Sequence, residues 1–125
     1  MSTQAKLIPL NTQFPRMTPY PKAPGEFRFE DIDHHAAAPP LLGTIGRFNH
    51  ACPNGTGNCG SIVIGNGFKP PSVEGKYKHT WQWDGNVESP TLHPSINCLS
   101  CNPNNPAEKY AGCGWHGWLQ NGEFR

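Results

Sequence analysis

Glycine and proline interrupt this chain so often that no stretch is left for a long helix. Each occurs 14 times among 125 residues. Proline removes a backbone donor and clashes with the preceding turn, and glycine loses more conformational freedom on ordering than any other residue. Only 35% of the residues are hydrophobic, so the expectation is a mainly β chain with many turns and a modest core. The length allows one small domain. A core of that size usually takes a staple, such as a metal, disulfides or a partner.

Period-two patterning supports the β reading. "FRFEDI" (Phe27–Ile32) alternates apolar and polar residues, and "DHHAAAPP" ends it, placing His34 and His35 in a loop. "SIVIG" is short and apolar enough for a buried strand. "KYKHTWQWDGN" puts Tyr77, His79, Trp81 and Trp83 on one face and Lys78, Thr80 and Gln82 on the other. Asp84-Gly85 and Asn121-Gly122 are hairpin signals. "NPAEKYAG" suits one helical turn.

Residues 1–26 read differently. Pro9, Pro15, Pro19, Pro21 and Pro24 suit an extended, polyproline-like arm rather than a helix or a central strand. The division expected is therefore an arm over 1–26 and a β-rich domain over 27–125. On this reading the domain folds without the arm, which serves a partner.

Charge excludes some functions. Ten basic and nine acidic residues leave a formal charge of +1, with no basic stripe of the kind nucleic-acid binding requires. "MSTQAKLIPLNTQFPRM" has no apolar core of signal-peptide length, and no segment is apolar for long enough to span a bilayer. The expectation is residence in a reducing host-cell cytoplasm, with no membrane partner. There, an odd set of five cysteines points to metal binding before a disulfide framework.

Structural zinc takes four ligands in a tetrahedron, usually supplied as two short pairs. Cys113-x2-His116 has the spacing of one pair, and Gly114 frees the backbone to turn between them. "CPNGTGNCG" offers Cys52 and Cys59 across a longer, glycine-rich loop, with Cys59-Gly60 like the turn of a zinc knuckle. Cys98-x2-Cys101 is the tidier pair on spacing alone. His50, His79 and His93 are further nitrogen donors. Spacing leaves open a Cys52/Cys59/Cys113/His116 site and a site that uses Cys98 and Cys101, and a redox-active Cys98–Cys101 pair is a third possibility.

"TWQWDGNVESPTLHPSIN" followed by "CGWHGWLQNGEF" resembles a family of small phage and bacterial proteins of unknown function, some of which misleadingly carry the name ammonia monooxygenase. The resemblance runs from Phe27 to Phe124 and is most specific in the last third. It implies Zn2+ held by Cys52, Cys59, Cys113 and His116, with Cys98 and Cys101 as additions. It also implies a phage-encoded source.

Catalysis is the competing class. A Cys113–His116 thiol catalyst lacks an orienting carboxylate. A zinc hydrolase would keep an open metal position and a base such as Asp84, Glu88 or Glu123, none of which stands in a metalloprotease motif. "ESPTLHPSI" is the best place for a concealed active site, since it carries Thr91, His93 and Ser95, but a proline-shaped supporting strand is the preferred reading of it. Trp81, Trp83, Trp115 and Trp118 suit a recognition face and a core equally well. The sequence thus supports a zinc-stapled, non-enzymatic β module. Its expected partner is a capsid or tail subunit, bound through residues 1–26 in a virion. The resemblance, through its bacterial members, implies an adaptor in a host or ubiquitin-like pathway as one alternative, and a zinc hydrolase is the other.

Overall fold

A computed structural model describes residues 2–33, 36–53, 58–72, 79–97 and 115–125. Among these residues nine strands follow in chain order: β1 (Thr3–Gln4), β2 (Lys6–Leu7), β3 (Glu26–Glu30), β4 (Ile45–Ala51), β5 (Asn58–Asn66), β6 (Thr80–Trp83), β7 (Leu92–Asn97), β8 (His116–Gln120) and β9 (Glu123–Phe124). The one helical turn among the described residues is a 3-10 turn at Pro15–Met17, where Pro15 supplies a pre-set φ. The mainly β expectation therefore holds. The helical turn expected of "NPAEKYAG" lies outside the described residues.

The strands form one sheet in the order β1-β9-β8-β7-β6-β5-β4-β3-β2. Its two outermost strands are consecutive in the chain, with only Ala5 between them. The Ala5 N–H donates to the Gly122 carbonyl (2.7 Å) and the Lys6 N–H to the Gly25 carbonyl (2.8 Å), so the chain steps from one edge of the sheet to the other. The sheet is therefore a nearly closed, barrel-like wall, an arrangement that covers strand edges. Part of the proline-rich segment thus lies along the sheet, with Ala5 and Ile8 buried.

Aromatic rings supply much of the core volume that the low aliphatic content withholds. Phe27, Phe29, Phe48, Ile64, Trp83, Leu92, Ile96, Leu119 and Phe124 pack together with Ala5. Phe27 stacks on Phe48 at 5.3 Å and Phe29 meets Trp83 at 4.5 Å between ring centres. Trp81 and Trp115 pack against this cluster, whereas Trp118 is 43% exposed. The tryptophans therefore divide, with three at the core and one at the surface.

A buried polar knot joins β3 to the N-terminal segment. Arg28 donates from Nη2 to Glu30 Oε1 (2.8 Å), from Nη1 to the Thr18 carbonyl (2.7 Å) and from Nε to Asn49 Oδ1 (2.9 Å). Its guanidinium lies 3.8 Å from the Tyr20 ring centre, and the Tyr20 hydroxyl donates to Glu30 Oε1. Among the described residues, no helix is long and apolar enough to cross a membrane.

Candidate functional site

The β7–β8 pair carries the site. Along β7 the inward residues are Leu92 and Ile96, with His93, Pro94 and Asn97 exposed and Ser95 half-buried. Along β8 Gly117 and Leu119 are buried, while His116 and Trp118 are exposed. Period two thus puts the chemistry-bearing side chains on the outer face.

The pairing is irregular where it matters. Leu92 is opposite Leu119 and Ile96 is opposite Gly117, so residues 93–95 of β7 face Trp118 alone on β8. Both ends keep their inward faces, and the surplus residues must bulge outward. Bulges re-aim side chains. Here the result is a contact between residues 21 apart in the chain, with Ser95 Oγ 2.8 Å from His116 Nε2. With the ring proton on Nδ1, Nε2 accepts from the serine hydroxyl, the arrangement a nucleophile and its general base need.

Neighbours hold the bulge in place. The Trp81 indole N–H donates to the Ser95 carbonyl (3.2 Å). The Asn121 N–H donates to Thr91 Oγ1 (2.9 Å) and the Gly122 N–H to the Pro90 carbonyl (3.0 Å), tying the approach to β7 onto the β8–β9 hairpin. Asn121 and Gly122 both have positive φ (48° and 76°), as the two-residue turn signal expects. The Asp84-Gly85 signal marks a hairpin with a longer loop. Residues 84–91 connect β6 to β7, and the Asp84 side chain accepts from the Asn86 and Thr91 N–H groups. Gly117 has no room for a side chain, because a Cβ there would fall 2.0 Å from the Arg125 carbonyl oxygen. That close approach lets Trp118 and Arg125 exchange backbone hydrogen bonds of 2.9 and 2.8 Å. The His93 ring meets Trp118 edge to face at 6.3 Å.

The expected metal ligands are only partly within view. Cys52 is fully buried just after β4. His116 is on the outer face with Nε2 against Ser95. Cys59 lies on β5, and its side chain is outside the described residues, as are Cys98, Cys101 and Cys113. Among the described residues no group of three or more His, Cys, Asp and Glu is placed to hold a metal ion. His50, another possible donor, is enclosed between the Phe48 and Phe124 rings, and its Nδ1 donates to the Ala51 carbonyl at 3.1 Å. Burial pushes it down to about 4, which keeps it neutral.

Sequence reasoning therefore named both residues of the contact but not the contact. Ser95 stood in the stretch singled out for a concealed active site, and His116 was assigned to zinc. No local motif joins them, since there is no nucleophile-elbow glycine pattern around Ser95. The usable signal was the shared outward phase of "HPSIN" and "HGWLQ". A serine–histidine hydrogen bond on a sheet surface is by itself an ordinary cross-strand contact.

Comparison with known proteins bears on that choice. A family model described as BubE, bacterial ubiquitination-like system serine protease, matches residues 32–125. No curated protein and no solved structure matches.

Proposed function

This chain belongs to the BubE family, and on that premise we propose that it is a serine protease of a bacterial ubiquitination-like system, with Ser95 as nucleophile and His116 as general base. The observation that carries the reading is the 2.8 Å contact between Ser95 Oγ and His116 Nε2. The family description supplies the class of reaction, and the contact selects one serine and one histidine for it. The ubiquitin-like pathway that the family resemblance raised as an alternative, there with an adaptor role, is in line with that description in its pathway.

The chemistry follows the ordinary course of acyl transfer. The Ser95 hydroxyl proton passes to His116 Nε2 as Oγ bonds to the substrate carbonyl carbon. The carbon–nitrogen bond then breaks, and the departing amine takes the proton from His116. Water, deprotonated by the same imidazole, cleaves the ester and regenerates the hydroxyl. The substrate proposed is an amide bond at a ubiquitin-like modifier. A surface dyad suits a bond in an exposed, extended segment, which can lie across the outer face beside Trp118 and His93.

The test is covalent labelling. The purified chain is treated with a fluorophosphonate, which forms a bond from Oγ to phosphorus as fluoride leaves, and the modified peptide is mapped. Label on Ser95 that disappears in His116→Ala supports the assignment. Label on another serine, or none on Ser95, removes it.

A further inference from the structure

His116 has two ring nitrogens, and Ser95 accounts only for Nε2. A histidine base works when its other nitrogen carries the proton and is held, because a ring free to flip presents the wrong atom to the serine. The strand register shows what stands nearest. Asn97 and His116 are direct Cα partners across β7 and β8. Side chains directly opposite on an antiparallel pair have Cβ atoms about 4.5–5.5 Å apart. Both residues are exposed on the outer face, and Asn97 lies two positions beyond Ser95 on the same strand. Its carboxamide brings an acceptor oxygen without a charge.

We infer that Asn97 is a positioning residue for His116, its side-chain carbonyl accepting the Nδ1–H and so fixing the tautomer in which Nε2 faces the serine. The inference rests on the reading of Ser95 and His116 as nucleophile and base. Among the described residues, the other titratable groups on this face are His93 on β7 and, on β9, Glu123 with the adjoining Arg125, whose side chains pair at 3.3 Å. Strand β6 contributes the uncharged Gln82, opposite His93. None of these is the cross-strand partner of His116.

The experiment uses the full chain and a fluorophosphonate probe, and reads the second-order rate of Ser95 labelling against pH. The 15N spectrum of the His116 ring is recorded on the same samples, and a thermal melt confirms that each variant is folded. Asn97→Ala should slow labelling by about 10- to 100-fold, less than the ~10⁴-fold that follows loss of a charged orienting group. Its ring spectrum should change from a single Nδ1–H tautomer to a mixture. Asn97→Asp should restore labelling to within about threefold and move the base's apparent pKa upward, because a carboxylate stabilises the imidazolium. Wild-type labelling and an unchanged ring spectrum in Asn97→Ala would overturn the inference, as would an Asn97→Asp variant no better than alanine. If the wild-type chain takes no label on Ser95, the nucleophile assignment fails first and the role of Asn97 falls with it.

Discussion

Ser95 and His116 lie on adjacent antiparallel strands, 2.8 Å apart at Oγ and Nε2, because β7 carries a surplus of residues opposite Trp118. If this pair is the catalytic unit, Ser95→Ala and His116→Ala should each reduce amide hydrolysis and probe labelling by about 10³-fold or more. The double variant should be no worse than either single one, since groups that act as a unit are not additive. Rates that multiply instead would show two independent contributions.

His116 cannot use Nε2 both for Ser95 and for a zinc ion. As the serine's base, it should leave Ser95 labelling unchanged after dialysis of the reduced protein against a chelator. Labelling lost together with a transition metal, and restored by zinc alone, would show that a metal holds the fold around the pair, and zinc lost in His116→Ala would return His116 to the ligand set with Cys52, Cys59 and Cys113. Elemental analysis of the same samples provides the count.

The N-terminal strands cover both edges of the sheet, β1 along β9 and β2 along β3. Deleting residues 1–8 uncovers those edges, which then present unpaired backbone groups. The truncated chain is expected to associate in size-exclusion chromatography and to unfold at lower denaturant. A monomer as stable as the full chain would show that closure contributes little, and would leave the segment free to serve a partner.

Arg28 is 2% exposed and its Nη2 lies 2.8 Å from Glu30 Oε1, with Arg47 Nε 4.0 Å from Oε2 of the same carboxylate. Arg28→Ala should cost about 3–5 kcal/mol, because the buried Glu30 carboxylate loses its 2.8 Å ion pair and the Thr18 carbonyl and Asn49 side chain lose their donors. Arg28→Met combined with Glu30→Leu should recover much of that loss, since matched apolar replacements remove both desolvated charges. Urea unfolding of the wild-type chain and the two variants supplies the comparison. A double variant no more stable than Arg28→Ala would show that the wider network with Tyr20 and Asn49 matters more than the pair.

His50 titrates in the unfolded chain near 6.5, but burial holds it at about 4 in the fold. The unfolded state therefore binds the extra proton first as pH falls. The contribution to stability is complete above pH 6.5 and is lost between there and about 4, by up to about 3 kcal/mol. His50→Phe should flatten stability across that window. Glu26, held below the usual carboxylate range by the Ala23 and Lys22 N–H groups, acts only at lower pH. A slope unchanged in His50→Phe would assign it to other groups.

Local sequence determined the elements. The glycine and proline density disfavoured long helices, alternation marked β3 and β6, and Asn121-Gly122 specified a two-residue turn through the positive φ that both residues accept. These effects act over a few residues, so they can be read without a fold. It also drew Ser95 and His116 into view for separate reasons, His116 through the Cys113-x2-His116 spacing of a zinc pair and Ser95 through a stretch whose preferred reading was a supporting strand.

Only the tertiary structure decided which of those residues meet. The Ser95–His116 contact depends on strand register and on where the surplus residues of β7 are accommodated, and register is set by burying Leu92, Ile96 and Leu119 together. Closure of the sheet through Ala5 is likewise a pairing of distant edges, beyond the reach of any local pattern in a proline-rich segment. The division of the tryptophans follows from the same cause. Composition says that large rings must be used, but only packing says that Trp83 fills the core while Trp118 stands outside beside His93.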